Sequence, residues 1–141
     1  MVVSQIPSGK HYLDKEDIKV VVKALKSGCL TLGEQTLKFE KKFSKYIGAK
    51  HATAVSNGTS GLHMAVRALG INDGDEVITT PFSFIASVNC LLYERAKPIF
   101  VDLDINNLCA DTKLVEKELK NRKDIGYVFY TTLLGFSGDL L

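Results

Sequence analysis

The 141-residue sequence lacks the patterns of a membrane protein and of a disulfide-bonded secreted protein. No apolar run approaches the roughly 18 residues of a membrane-spanning helix, and the N-terminus lacks the apolar core of a signal peptide. The three cysteines are odd in number and show neither a CxxC nor another metal-ligand spacing, which favours reduced thiols over disulfides or a metal site. These absences predict a cytoplasmic protein that does not contact membranes.

A strong charge of either sign is also absent. The 18 basic residues are nearly balanced by 16 acidic ones, giving a net charge of +2, and the lysines are scattered along predicted helices. Nucleic-acid-binding proteins usually concentrate positive charge on one face, so no nucleic-acid partner is expected. The sequence also lacks GxGxxG and GxxxxGK[ST], which argues against nucleotides bound by a dinucleotide fold or a P-loop.

The second half of the chain alternates short apolar strands with amphipathic helices. Strands of this kind, separated by helices of about ten residues, form right-handed βαβ units. The sequence therefore predicts an α/β fold with a mainly parallel sheet. The expected strands are residues 51–55, 76–80, 99–102 and 125–130, and the expected helices are residues 59–69, 83–93 and 112–120.

Two further helices are expected before this region. The first begins at Asp14, which can cap it, and stops at Gly28. The second begins near Glu34 and ends at Gly48. An aromatic stripe on the second helix, Phe39, Phe43 and Tyr46, is assigned to core packing because such stripes contact the core more often than a cofactor.

The turn at residues 56–61 (SNGTSG) precedes a strongly amphipathic predicted helix, with apolar Leu62, Ala65, Val66 and Leu69 on one face. The first N–H groups of a helix have no internal partner, and the helix dipole adds partial positive charge there, which favours anions. Gly58 permits close approach of a bound group, while the neighbouring hydroxyl and amide side chains offer donors. The alternative interpretation is an ordinary N-cap held by Ser56 or Asn57.

Open α/β sheets bind ligands at the carboxyl ends of their strands. Three predicted strand ends carry suitable chemistry: residues 56–60 form a phosphate cradle, residues 80–84 supply an aromatic ring, and residues 102–104 supply carboxylates. Together they predict a site for a phosphorylated aromatic ligand.

A series of segments in order along the chain matches one known family: 28–33 (GCLTLG), 39–40 (FE), 54–62 (AVSNGTSGL), 68–71 (ALGI), 74–78 (GDEVI), 80–84 (TPFSF) and 98–104 (PIFVDLD). Through these segments the sequence strongly resembles the N-terminal part of the pyridoxal-phosphate-dependent sugar aminotransferases of the DegT/DnrJ/EryC1/StrS family. The resemblance implies the three-layer αβα large domain of fold type I, with residues 1–50 as a helical segment and residues 51–141 as part of the cofactor-binding domain.

The resemblance assigns the phosphate of pyridoxal 5'-phosphate to Gly58, Thr59 and Ser60, through backbone amides and hydroxyls. It assigns the ring that stacks on the pyridine to Phe84, while Phe82 is expected to pack inward. A flat aromatic face holds the plane of the conjugated ring on which the reaction depends.

The resemblance implies smaller roles for two further segments. Thr31 and Gly33 match a loop that lies near the substrate in this family, and a loop that merely closes two helices is an equal alternative. Asp102 and Asp104 match an acidic pair at a strand end, where ending the strand or capping is favoured over catalysis.

The family's catalytic residues are not found in this chain. Transamination requires a lysine that bonds to the cofactor and an aspartate that pairs with the pyridine nitrogen, and both follow the segment that matches residues 134–139 (LGFSGD). No lysine here matches that position; Lys97 precedes a predicted strand and Lys113 opens a predicted helix. We therefore expect no catalytic residue and no transamination by this chain alone, which is expected to be a fragment of a longer enzyme or the product of a truncated or split gene.

The implied function is transfer of an amino group, with glutamate as the expected donor, to a nucleotide-linked keto-sugar in polysaccharide or glycan biosynthesis. A homodimer is the expected assembly. One alternative is a sugar dehydratase of the same family, in which histidine replaces the lysine. Another is a non-catalytic module that binds a phosphorylated ligand or assists assembly.

Overall fold

The computed structural model describes residues 9–31, 33–132, 135 and 138. Leu32 and most of the segment 134–139 therefore lie outside the described residues. The chain forms two compact units, residues 1–54 and residues 55–141. The first contains α1 (Lys15–Leu25) and α2 (Glu34–Ile47), and the second contains α3 (Gly58–Ala68), β1 (Glu76–Thr79), α4 (Ala86–Tyr93), β2 (Lys97–Phe100), α5 (Thr112–Asn121) and β3 (Tyr127–Val128).

Helix α1 begins where the sequence predicts. The Asp14 carboxylate accepts hydrogen bonds from the N–H groups of Glu16 and Asp17, at 2.8 and 2.9 Å, and the Asp17 carboxylate accepts one from the Asp14 N–H at 3.0 Å. This reciprocal pairing satisfies donors that the helix itself leaves unpaired. The predicted start at Asp14 is confirmed.

None of the described helices is long and apolar enough to cross a bilayer.

Helix α2 also has its predicted bounds, but its aromatic stripe does not pack as expected. The helix ends at Gly48, whose φ of +70° is a left-handed conformation that glycine adopts at little cost. Phe39 and Phe43 stack on each other with centroids 5.7 Å apart, yet α2 buries none of its residues and Tyr46 is 88% exposed. The assignment of this stripe to core packing is therefore wrong, because helical spacing defines a shared face without supplying the surface that would cover it.

The sheet of the second unit has three parallel strands in the order β2-β1-β3. Glu76 of β1 pairs with Lys97 at the start of β2, and Val77 of β1 pairs with Tyr127 of β3. The predicted parallel sheet is confirmed, and β1 is its central strand among the described residues.

Helices cover both faces of this sheet. Successive strand residues point to opposite faces, so Val77 and Ile78 belong to different clusters. Val77 packs in one cluster with buried residues from α3 and α4, including Val66 and Leu91. Ile78 packs in the other, against which α5 contributes partly buried residues. The sheet therefore lies between α3 and α4 on one face and α5 on the other, which is the predicted αβα arrangement.

One predicted strand is wrong and others are shorter than expected. Residues 51–55 form no strand within the part of the chain that the structure describes, and the Ala54 N–H donates instead to the Glu40 carboxylate at 2.8 Å. A strand exists only where a neighbour completes its backbone hydrogen bonds, and a short segment of the predicted kind does not by itself supply that neighbour. The strand expected at residues 125–130 is reduced to Tyr127–Val128 for lack of longer pairing with β1.

Candidate functional site

The turn before α3 is an N-cap built by Asn57. Its side-chain oxygen accepts a hydrogen bond from the Ser60 N–H at 2.9 Å, and its backbone oxygen accepts one from the Gly61 N–H at 3.2 Å. The ordinary capping interpretation of this turn is therefore correct. It accounts for only part of the helix terminus, because an α-helix leaves its first four N–H groups without internal partners.

Two backbone donors remain at this terminus. The N–H groups of Gly58 and Thr59 have no hydrogen-bond acceptor among the described residues. A Cβ added to Gly58 would meet no heavy atom within 4 Å, so the space beside these donors is open. Unpaired N–H groups at the positive end of a helix dipole, next to open space, form a site suited to an anion such as a phosphate group.

Hydroxyl groups lie at the same end of α3. The Ser56 and Ser60 Oγ atoms are 3.3 Å apart, and the Asn57 side-chain amide donates to Ser56 Oγ at 3.2 Å. Thr59 and Ser60 are partly buried, while Gly58 is exposed. The first turn of α3 therefore brings Gly58, Thr59 and Ser60 together, as the sequence predicts, and combines amide and hydroxyl donors.

The second candidate segment follows the central strand. Thr80 is buried, and its hydroxyl accepts a hydrogen bond from the Phe82 N–H at 3.4 Å. Phe84 lies just before α4, where its carbonyl accepts from the Ser87 N–H at 2.9 Å, and its ring is 75% exposed. Phe82 is 49% exposed, so the expectation that it packs inward is wrong: about half of its surface stays open to solvent.

The position of this segment suits a ligand site. The β1–β2 connection, through α4, covers one face of the sheet, whereas the β2–β3 connection, through α5, covers the other. Connections that diverge in this way leave a crevice at the carboxyl end of the central strand, and open α/β sheets bind ligands there. Residues 80–84 begin at that end of β1.

The third candidate segment stabilises a turn. Asp104 Oδ1 accepts hydrogen bonds from both the backbone and the side-chain N–H of Asn106, at 2.9 and 2.8 Å, and Asp102 Oδ1 accepts one from the Leu103 N–H at 2.8 Å. Nowhere in the described ranges do three or more potential metal ligands cluster. The carboxylates of Asp102 and Asp104 are thus engaged in local structure, which fits the capping role favoured from the sequence.

Thr31 and Gly33 lie in the N-terminal unit. Gly33 is the N-cap of α2, and the Thr31 carbonyl accepts a weak hydrogen bond from Cys29 Sγ at 3.4 Å. Cys29 and Gly33 line a cleft of about 240 Å³ between the end of α1 and the start of α2. The substrate-binding role of Thr31 and Gly33 stays a prediction.

One polar network was not anticipated from the sequence. Glu94, at the end of α4, has Oε1 2.6 Å from His63 Nε2 and 3.1 Å from a guanidinium nitrogen of Arg67. The hydrogen bond from His63 is the main cause of a lowered pKa at Glu94, and Arg67 adds to it. His63 and Arg67 are one helical turn apart on α3, a spacing that places them on one face but does not reveal a partner 27 to 31 residues away.

This network predicts a dependence of stability on pH. A carboxyl whose pKa is lower in the folded state than its ordinary value of 4.5 stabilises the fold above that value, and the contribution is lost as the pH falls through the folded pKa. We expect Glu94→Gln to lower the free energy of unfolding at pH 7, and the difference from the unmodified protein to shrink as the pH falls below 4.5. Urea unfolding at pH 7, 5 and 3.5 measures it, and a difference that is constant with pH would contradict it.

Comparison with known proteins places this geometry in a family. The sequence profile of the DegT/DnrJ/EryC1/StrS aminotransferase family matches residues 11–140. The chain is 37% identical over 117 residues to the UDP-4-amino-4-deoxy-L-arabinose--oxoglutarate aminotransferase of Shewanella sediminis, covering 83% of this chain and 30% of that protein.

Two solved structures have the same fold over this region. PseC of Helicobacter pylori, an aminotransferase involved in the biosynthesis of pseudoaminic acid, has a TM-score of 0.83 at 33% identity, covering 91% of this chain and 34% of its own. NtdA of Bacillus subtilis, with bound cofactor PMP, has a TM-score of 0.81 at 30% identity, and the match covers 86% of this chain and 28% of the NtdA chain. The chain spans about a third of the length of these relatives. It belongs to the DegT/DnrJ/EryC1/StrS aminotransferase family.

Proposed function

We propose that the full gene product containing this chain is a pyridoxal-phosphate-dependent aminotransferase that transfers an amino group from glutamate to a nucleotide-linked keto-sugar. The observation that carries the proposal is the terminus of α3, where the unpaired amides of Gly58 and Thr59 face open space in a chain that matches the family over residues 11–140. The Shewanella sediminis relative, named for a UDP-linked amino sugar and oxoglutarate, supports this substrate class. Polysaccharide or glycan biosynthesis is the corresponding pathway class.

The residues present fit the cofactor. Gly58, Thr59 and Ser60 would hold the phosphate, because the amides of the first two are unpaired and the hydroxyls of the last two lie at the same helix end. Phe84 would stack on the ring, since its side chain is exposed at the carboxyl end of the central strand. When bound, the cofactor supplies an electron sink for breaking bonds at the amino-bearing carbon. The chain's own contribution is to bind the phosphate and orient the ring.

The remaining assignments belong to the same proposal. Residues 51–141 would form part of the cofactor-binding domain, preceded by the helical segment 1–50, and Thr31 and Gly33 would lie near the sugar. We propose a homodimer in the cytoplasm, without a nucleic-acid partner. The near balance of 18 basic and 16 acidic residues supports the absence of nucleic-acid binding.

The 141-residue chain by itself is proposed not to transaminate. Lys97 opens β2 and Lys113 lies in the first turn of α5, and neither matches the lysine that bonds to the cofactor in the family. Borohydride treatment in the presence of pyridoxal phosphate tests this point, because it traps a cofactor bonded to lysine. We expect no adduct at a single lysine of the 141-residue chain, and a unique adduct there would contradict the assignment.

The activity itself is tested on the full gene product. Glutamate should be converted to 2-oxoglutarate only when a nucleotide-linked keto-sugar is added, with an aminated sugar nucleotide as the second product. Loss of a sugar hydroxyl without consumption of glutamate would indicate the dehydratase instead. Phosphate-dependent binding without turnover of either kind would indicate a binding module.

Replacing Phe84 by alanine should loosen the cofactor. A stacked aromatic pair contributes about 0.5–1.5 kcal/mol beyond its buried area, so the Kd of pyridoxal phosphate should rise roughly tenfold and turnover should slow. The measurement is cofactor titration by absorbance, followed by steady-state kinetics. Phe82→Ala is the matched control from the same loop, and a larger loss in that variant would transfer the stacking role to Phe82.

A further inference from the structure

Glu94 joins α3, whose first turn holds the proposed phosphate contacts, to α4, the helix that follows Phe84. It follows α4 directly, and its carboxylate reaches His63 and Arg67 on α3. We call these three residues the α3–α4 clamp. The Glu94 side chain is only 12% exposed, and the Tyr93 ring lies edge-on to the His63 ring with centroids 5.1 Å apart. The Glu94 carboxylate is thus shielded and its contacts are directional, although the Arg67 side chain is 74% exposed.

Apolar packing also joins these helices. Val66 is the one buried residue of α3 within the described structure, and it packs with Cys90 and Leu91 of α4. Apolar contact is non-directional, so it constrains the position of the helices along their axes less sharply than hydrogen bonds do. The donor–acceptor distance of a hydrogen bond varies by only a few tenths of an ångström. A slide of α3 along α4 by about 1 Å would therefore break the hydrogen bonds of the clamp.

The axial position of α3 matters because its first turn holds the unpaired amides. His63 lies five residues after Gly58 on the same helix, which is about 7–8 Å along the axis. Phe84 precedes α4, the helix that Glu94 terminates. A shift of α3 against α4 would therefore move the amides of Gly58 and Thr59 relative to the Phe84 backbone.

We propose that Glu94 is a positioning residue, which holds α3 and α4 in the register that the cofactor's phosphate and ring require together. This inference rests on the proposed function. The Glu94 carboxylate is hydrogen-bonded to His63 and Arg67 rather than to the residues that would hold the phosphate or the ring, and it acts through α3 on the amides at the start of that helix. Its removal should therefore reduce the contribution of the phosphate group to binding, beyond any general loss of stability.

The test compares ligands with and without the phosphate. In the full gene product, the Kd values of pyridoxal 5'-phosphate and of pyridoxal are measured for Glu94→Ala, Glu94→Gln and the unmodified protein. The contribution of the phosphate is the Kd of pyridoxal divided by the Kd of pyridoxal 5'-phosphate. Loss of coupling of this kind changes affinity by roughly 2- to 30-fold, so this ratio should fall by that factor in Glu94→Ala. Glu94→Gln should recover most of it, because the amide oxygen still accepts from Arg67.

Glu76→Ala is the matched control. Glu76 forms an ion pair with Arg122 at 2.9 Å that joins β1 to the end of α5 and does not involve α3. An unchanged ratio in Glu94→Ala, or an equal fall in Glu76→Ala, would overturn the clamp while leaving the proposed function intact. Should Glu94→Ala not fold, Arg67→Ala is judged by the same ratio. Failure of the unmodified protein to bind pyridoxal phosphate would overturn the proposed function and the clamp together.

Discussion

Replacing Thr59 and Ser60 together by alanine should weaken the binding of pyridoxal phosphate to the full gene product by about 100-fold. Each hydroxyl would donate to a charged phosphate, and a hydrogen bond of that kind contributes about 1.5 kcal/mol or more, so losing two costs about 3 kcal/mol. The backbone amides of Gly58 and Thr59 remain, so binding should be reduced rather than abolished. Equilibrium dialysis with detection of cofactor absorbance gives the Kd directly.

The helix itself should survive this double substitution. The side-chain oxygen of Asn57 accepts from the Ser60 backbone N–H, which alanine retains. Thr112→Ala is a suitable control, because Thr112 lies in the first turn of α5 after the capping residue Asp111, and Thr59 likewise lies in the first turn of α3 after the capping residue Asn57. If the double variant binds the cofactor as tightly as the Thr112→Ala control, the assignment of the phosphate to Thr59 and Ser60 is wrong.

The second large effect is expected at Leu91. Its side chain is fully buried in the cluster that joins α4 to α3 and to the sheet. Truncating a buried leucine to alanine removes apolar contact and leaves a cavity, at a cost of about 2–5 kcal/mol. Leu91→Ala should therefore lower the urea midpoint of unfolding markedly, as followed by far-UV circular dichroism.

Its neighbour provides the control. Leu92 lies on the same helix but is 51% exposed, so Leu92→Ala should cost less than about 1 kcal/mol. Similar midpoints for the two variants would mean that α4 does not pack on the sheet as the structure describes. A large loss of stability in Leu92→Ala alone would mean that the face of α4 bearing Leu92, and not the face bearing Leu91, is buried.

Local signals explain what could be predicted from the sequence. Asp14 and Gly48 mark helix ends through their own chemistry, a carboxylate that caps and a backbone that turns left-handed. The turn at residues 56–61 was recognisable for the same reason, since every donor it supplies comes from one short segment. Its phosphate-binding role stays a prediction, whereas its position at the start of α3 is confirmed.

Contacts between distant segments explain what could not be predicted. The segment 51–55 is predicted as a strand but lacks a strand partner among the described residues, and Tyr46 has the spacing of a core residue but remains exposed. Glu94 meets His63 because α3 and α4 pack side by side, and no local pattern in either helix encodes the other. Pairing and packing partners are properties of the folded chain, whereas caps and turns are properties of a few adjacent residues.

The order of strands in the sheet has a consequence for how this unit folds. Pairing of β1 with β2 closes the chain between residues 76 and 97, whereas pairing of β1 with β3 closes it between residues 77 and 127. The entropy lost on closure grows with loop length, so the first pairing is the less costly of the two. During synthesis at the ribosome, β1, α4 and β2 can therefore associate before β3 has emerged, and the remaining edge of β1 must stay unpaired until it does.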